Sequence, residues 1–280
     1  MTVPEQSPTV RHRRLAGELR RLRERAGMTP EQAAAALGWS RPKLVRVETA
    51  KTRPKPADVA AALDLYGGPD ELKLALMEAA RNVRRRGWWS AYDDVLAGSY
   101  AELEDDAAEI RSWQVQVIHG LLQTQEYART LIRNHSADEQ EVDRRVQARM
   151  MRQTLLARQN APALQVLIEE AVLRRPVGGV EVMRGQLDAL LRAHLRPNVS
   201  IRVVPMSVGI YPSLGEGSFT IFSFPRPIDP DVVYLESVAG GVYLEDVEQV
   251  RRCGATFDNI ADVALSDEES AALIAAIAEE

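Results

Sequence analysis

Arg41 and Arg46 stand at the two ends of a short run, Arg41-Pro-Lys-Leu-Val-Arg46, that follows a glycine, a tryptophan and a serine. A guanidinium offers paired donors that match the O6 and N7 acceptors of guanine in the major groove, so these two arginines are candidates for reading bases. Around them lie groups suited to phosphates: the hydroxyls of Thr29 and Ser40 and the cations of Lys43, Lys51 and Arg53. Phosphate contacts position a protein on a duplex without specifying its sequence. The competing reading of the same residues is a small helical bundle with a merely basic surface.

Other reactive residue types do not assemble into a catalytic pattern. Hydrolytic or self-cleaving chemistry of the Ser/Lys kind needs a lysine, and none follows Lys73. Cys253 sits in a helical pattern and reads as core rather than nucleophile. His12, His119, His135 and His194 lack metal-ligand spacing to cysteine or carboxylates. The Glu169-Glu170 pair and the Glu102/Glu104 pair read as solvated faces rather than acid/base pairs. Leu214-Gly-Glu-Gly-Ser218 is a turn before a strand and not a phosphate loop, because no helix follows it. Trp88 and Trp89, next to Arg84–Arg86, could stack on a base but read as aromatic packing. The expectation is a protein without catalytic residues, cofactor or metal.

Charge is divided along the chain. Between Arg11 and Lys55 there are 13 Lys and Arg against 4 Asp and Glu, whereas from Ala91 onward 17 basic residues face 30 acidic ones. The overall net charge of -5 hides this division. A basic module joined to an acidic body points to a polyanion partner for the first module only. With 45% apolar and 27% charged residues the chain is an ordinary globular one, and 280 residues suffice for two domains. A single cysteine cannot close an intramolecular disulfide. With no long apolar stretch and no hydrophobic leader core, that places the expected location in the cytoplasm, away from membranes.

The elements that must position the basic residues can be read from periodicity. Residues 1–10 are polar and read as an arm. Leu15, Leu19, Leu22 and Ala26 recur at helical spacing over 11–26, and Gly27 ends that helix. Thr29-Pro-Glu-Gln32 combines an N-cap, a proline at the first helical position and a glutamine three residues after the cap, opening a second helix that runs to Leu37. Gly38 breaks it, Ser40 caps a third helix over 41–49, and Pro54 and Pro56 introduce a fourth ending near Tyr66. Helix, tight turn, helix is the spacing that sets two helices near a right angle, with Leu44 and Val47 facing the first helix and Arg41, Lys43, Val45 and Arg46 facing outward. A fifth helix over about 70–86 reads as a connector. Beyond it, helical patterns cover 102–116, 123–134, 138–160, 179–195, 246–264 and 267–279. Strand-like runs fall at 163–168, 199–204, 218–224, 231–235 and 241–244. The expected fold is a mainly α helix-turn-helix domain at 1–68, a connector at 69–90 and an α+β domain at 91–280.

The run from Met28 to Glu48, MTPEQAAAALGWSRPKLVRVE, resembles the XRE family of repressors. The resemblance implies that Glu48 pairs with Arg23 of the first helix and locks the two helices together. Arg23 lies four residues after Leu19, at the edge of the buried stripe, which agrees; a phosphate contact is the competing role for Arg23. Two positions depart from the family pattern. Pro30 stands where many relatives carry a phosphate-clasping glutamine, and Ala50 stands where a glycine usually follows the recognition helix.

The remainder resembles the domain that follows such units in actinobacterial Scr1-family, toxin–antitoxin-like regulators. The residues that carry this are Arg86-Gly-Trp-Trp89, Ile110 through the GLLQTQEYAR run ending at Arg129, Arg196-Pro-Asn-Val199 and DVVYLE ending at Glu236. His119 stands where relatives usually have proline. The resemblance implies that the domain senses a small-molecule effector or binds a small partner protein, with no ligand named; the alternative to a sensing regulator is an antitoxin-like protein that sequesters a partner and autoregulates. The expected nucleic-acid partner is double-stranded DNA. One helix-turn-helix reads only a few base pairs, so a homodimer on two half-sites is expected.

Overall fold

The computed structural model describes residues 10–82, 88–92, 95, 100–225, 230–238 and 240–280. Of the expected N-terminal arm over residues 1–10, residues 1–9 lie outside the described residues, as does the Arg84–Arg86 cluster with Gly87, and Val10 already belongs to the first helix. Trp88 and Trp89 sit edge to face with ring centroids 6.2 Å apart.

The chain divides into two compact units. The first contains five helices: α1 (Val10–Arg25), α2 (Pro30–Ala36), α3 (Arg41–Glu48), α4 (Pro56–Tyr66) and α5 (Asp70–Asn82). Leu15, Leu19 and Leu22 of α1 form one stripe, and it is covered by Ala33 and Ala34 of α2, Leu44 and Val47 of α3, and Val59, Ala62 and Leu63 of α4. The alanines let α2 approach closely. Leu76 and Ala80 of α5 join the same core, so this helix packs on α1 and α4.

The helix α6 (Tyr100–Asp106) precedes the strand β1 (Glu109–Gln114). The second unit continues through α7 (Gln125–Arg133), α8 (Glu139–Gln153), β2 (Ala163–Glu169), α9 (Glu170–Arg174), α10 (Val180–His194), β3 (Val199–Val204), β4 (Phe219–Ser223), β5 (Val232–Ser237), β6 (Gly240–Leu244), α11 (Val247–Val263) and α12 (Asp267–Glu279). This is the expected α+β domain. Its six strands form one mixed sheet in the order β3-β2-β1-β4-β5-β6. The first three strands are parallel because helices connect them, α7 and α8 between β1 and β2, α9 and α10 between β2 and β3. The last three follow as antiparallel neighbours. Trp113, Leu167, Ile221 and Val233 share one sheet face and pack with Phe257 and Ile260 of α11.

The second unit departs from the sequence expectation in several places. The helical pattern over 102–116 is a helix only to Asp106; residues 109–114 are the central strand β1, hydrogen-bonded on both sides. Leu103, Ala107 and Ile110 carry helical spacing and are all buried, so periodicity alone did not separate a helix end from a strand start. The helix expected over 138–160 ends at Gln153, and α9 was not anticipated. Three of the four carboxylates read as solvated, Glu102, Glu104 and Glu170, are buried, and Glu169 is half-buried and accepts from the Tyr211 hydroxyl. Glu104 is 1% exposed and takes two bonds from Arg152 (2.8 and 2.7 Å), while buried Glu170 takes bonds from Arg174 Nε (2.6 Å) and the Met206 N–H (2.8 Å). Buried carboxylates require such partners, and the partners are distant or follow by one helical turn. Cys253 is half-buried against the α11 core, and burial pushes its thiol up from the ordinary range.

His119 occupies the place where proline was expected. It is buried, with φ of -54°, and its Nδ1 accepts from the Leu121 N–H (3.3 Å) at the start of a short turn, Gly120–Leu122. Burial, followed by the charges of Arg152 and Arg149, pulls its pKa from 6.5 down to about 3. The unfolded chain therefore binds one more proton than the folded one between these values, and stability falls as pH drops below about 6.5. This group alone contributes a slope of up to about 1.4 kcal/mol per pH unit. A His119→Asn chain keeps an acceptor for the Leu121 N–H and should lose stability less steeply on acidification. Exchange of the β1 and β2 amides between pH 4.5 and 7, corrected for intrinsic rates, measures this. Parallel slopes for the two chains would show that His119 is not the source.

Candidate nucleic-acid interface

The placement of α3 begins with its caps. Thr29 and Gln32 exchange hydrogen bonds in a capping box at the start of α2 (2.9 and 3.2 Å). The Ser40 hydroxyl accepts from the Lys43 N–H at the start of α3 (3.3 Å). Each hydroxyl gives one lone pair to its helix. The O–H of Ser40 remains able to donate.

The helix ends repeat one device three times. After α1, Gly27 and Met28 donate to the carbonyls of Glu24 and Arg23; after α2, Gly38 and Trp39 donate to those of Ala35 and Ala34; after α3, Ala50 and Lys51 donate to those of Val47 and Arg46. This is the paired bonding of a Schellman turn, which needs a residue with positive φ at its centre. Gly27 and Gly38 supply φ of 69° and 65°; Ala50 supplies 55°. The turn after α3 is thus as tight as a glycine would make it. Ala50 bears a conformational cost of roughly 1–2 kcal/mol, while its methyl is buried in return.

One ion pair ties α3 to α1. Arg23 Nε and Nη2 donate to the two carboxylate oxygens of Glu48 at 2.8 and 3.0 Å, and its Nη1 donates to the Met28 carbonyl at 2.7 Å. Both side chains are 6% exposed. The bond to Glu48 holds the Arg23 guanidinium above its ordinary pKa. Burial and the nearby Glu48 charge push the Tyr66 hydroxyl up to about 12. Arg23 is therefore turned inward, away from any phosphate.

With α3 held this way, Leu44, Val47 and Glu48 face the core and Arg41, Pro42, Val45, Arg46 and Thr49 are exposed. Arg41 makes an ion pair with exposed Glu31 of α2. Arg46, Lys51 and Arg53 are exposed, and among the described residues no ion pair engages them. Lys43 is different. Its ammonium lies 2.8 Å from Asp58 of α4 and 4.1 Å from the centre of the Trp39 ring, so the cation marked for a phosphate is held within the domain. Thr29 and Ser40 sit exposed at the starts of α2 and α3.

In the sequence His12 has no metal-ligand spacing and no evident role. It is buried, and its Nε2 lies 3.1 Å from the Thr52 carbonyl. Burial lowers its pKa, so the neutral ring donates to that carbonyl and fixes the loop that bears Lys51 and Arg53. Nothing in the spacing of His12 pointed to this bond, which spans 40 residues. Among the described residues no cluster of His, Cys, Asp and Glu is placed to hold a metal ion, and no helix is long and apolar enough to cross a membrane.

Two family models match the chain. One described as a helix-turn-helix domain matches residues 14–76, and one described as a domain of unknown function (DUF5753) matches residues 97–276. No curated protein and no solved structure matches it.

The ion pair generates a stability prediction. Glu48→Ala leaves a buried guanidinium with the Met28 carbonyl and, at 3.7 Å, the exposed carboxylate of Glu24, and should destabilise the helical domain by about 3–5 kcal/mol. Glu18→Ala, which removes the partner of largely exposed Arg21, should cost no more than about 1 kcal/mol. Exchange of the most protected α1 amides in the whole chain gives both values, and equal losses would remove the pair as the lock on α3.

Proposed function

This chain belongs to the DUF5753 family, and we propose that it is a sequence-specific DNA-binding transcriptional regulator of the XRE and Scr1 kind. The helix-turn-helix match runs from within α1 to the middle of α5. The observation that carries the reading is the outward face of α3, where Arg41 and Arg46 are exposed on a short helix whose other face is locked by Arg23 and Glu48. Such a helix fits a major groove about 12 Å wide, with its arginines at base edges. Lys51, Arg53 and the Ser40 hydroxyl flank it at the level of the backbone, and Thr29 stands at the start of α2. Lys43 contributes to a phosphate only by leaving Asp58.

The regulator acts as a homodimer, because two half-sites about 34–36 Å apart supply the affinity one unit lacks. Its acidic C-terminal domain is the non-catalytic part that responds to a small molecule or a partner protein. The excess of 30 acidic over 17 basic residues from Ala91 onward supports a domain that stays off the DNA.

Reading and positioning separate experimentally. A preferred site is first selected from a randomised duplex library with the whole chain. Arg46→Ala should then cost about 1–3 kcal/mol on that site and relax the preference at one base pair. Lys51→Ala should weaken the selected and a scrambled duplex alike and lower the salt slope by about one. If Arg46→Ala weakens both duplexes equally, α3 is only a basic surface.

A further inference from the structure

Val45 is the large apolar side chain left exposed, at 36%, among the described residues between His12 and Tyr66. Its position gives the exposure meaning. Measured from Arg41 at 3.6 residues per turn, Val45, Thr49, Pro42 and Arg46 lie at roughly 40°, 80°, 100° and 140° around α3. The two arginines therefore border the outward face, and Val45 and Pro42 lie between them. Thr49 turns its hydroxyl back to the Val45 carbonyl (2.7 Å), so that donor is already engaged. The middle of the exposed face offers a ligand hydrocarbon rather than hydrogen-bond donors.

Phosphates and sugar hydroxyls gain nothing from such a strip. On the major-groove edges of the four base pairs, the one apolar group is the C5 methyl of thymine. Arg41 and Arg46 are separated by about 7.5 Å along the helix axis, roughly two base-pair steps of 3.4 Å. Pro42 and Val45, about 1.5 and 6 Å from Arg41 along that axis, straddle the midpoint, so a base lying between those the arginines contact falls opposite the strip they form.

Building on the DNA-binding reading, we infer that Val45, with Pro42 beside it, is a specificity residue that reads the C5 methyl of a thymine lying between the bases contacted by Arg41 and Arg46. The arginines select guanines by hydrogen bonds, and the apolar strip selects by excluding water from one methyl group. Cytosine in that place presents a bare C5, so the strip has no methyl group to cover. The half-site then carries a thymine flanked by the two arginine-read positions.

Replacing thymine by deoxyuridine removes that methyl and nothing else, which makes the test specific. With the site selected from the randomised library, each thymine is exchanged in turn and the whole chain is titrated against each duplex. One exchange within the half-site should weaken binding about fourfold, the effect of burying one methyl group. Val45→Ala, an exposed helix position where alanine preserves the fold, should bind the thymine and deoxyuridine duplexes equally. The inference is overturned if the selected half-site holds no thymine, if no exchange changes affinity by more than twofold, or if Val45→Ala keeps the discrimination. In those cases binding that still depends on Arg46 leaves the DNA-binding reading standing. A library that yields no preferred sequence overturns that reading and this one together.

Discussion

A buried guanidinium–carboxylate pair sets the angle at which the third helix stands on the first. Arg23 spends donors from all three of its nitrogens on fixed acceptors, two on Glu48 and one on the carbonyl of the turn that follows its own helix. Removing two charges from water is costly, and well-packed apolar residues often do as well for net stability. What apolar residues do not supply is direction. A forked donor on a carboxylate and a carbonyl fixes rotation and translation together, so the outward face of α3 is set by bonds and not by packing volume alone. Little water reaches the pair, since both side chains are almost fully buried, and Tyr66 lies close enough for the charges to act on its hydroxyl.

The turns make that geometry possible. Helices of 7 and 8 residues are too short to hold themselves together, so their ends must be satisfied locally. Capping by Thr29 and Ser40 closes the starts, and three successive Schellman turns close the ends of α1, α2 and α3. At the last of these the backbone accepts alanine with positive φ. The strain is tolerated because the bonds from Ala50 and Lys51 to the carbonyls of α3 leave no other path, and the His12 bond to Thr52 holds the next residues.

Much of the first unit was legible because its signals are local. A cap, a proline, a glycine and a stripe of leucines each act within a few residues, and together they placed α1 to α4 within a residue or two of their bounds. The Arg23–Glu48 contact was reached through family resemblance, since nothing local links residues 25 apart. The sheet was less legible where long-range pairing decided the matter. Five strand-like runs became β2 to β6, but β1 gains its hydrogen bonds from strands more than 50 and 100 residues away, and its Leu103, Ala107 and Ile110 neighbourhood carries a helical rhythm. Glu104 looks like a surface residue in the sequence because Arg152, which neutralises it, is identified only by the fold, and Glu170 because no helix is expected there to bring Arg174 one turn away. Lys43 and Asp58, 15 residues apart, met for the same reason.

Charge pairing also explains why the basic face lies where it does. In the second unit Arg129, Arg133, Arg152, Arg158 and Arg174 each meet a carboxylate of their own domain: Asp143, Glu139, Glu104, Asp105 and Glu170. An excess of acid makes that easy. Between Arg11 and Lys55 the proportions reverse, and four carboxylates cannot serve thirteen cations. Glu48 goes to Arg23, Glu31 to Arg41, Glu18 to Arg21 and Glu24 to Arg20. The supply within that segment is then spent, and Asp58 from α4 takes Lys43. The exposed Arg41–Glu31 pair is cheap to open, whereas the half-buried Lys43–Asp58 pair must be resolvated, so Arg41 is the more available of the two. Arg46, Lys51 and Arg53 need no such exchange. The residues best placed to meet a polyanion are those that, among the described residues, no carboxylate engages.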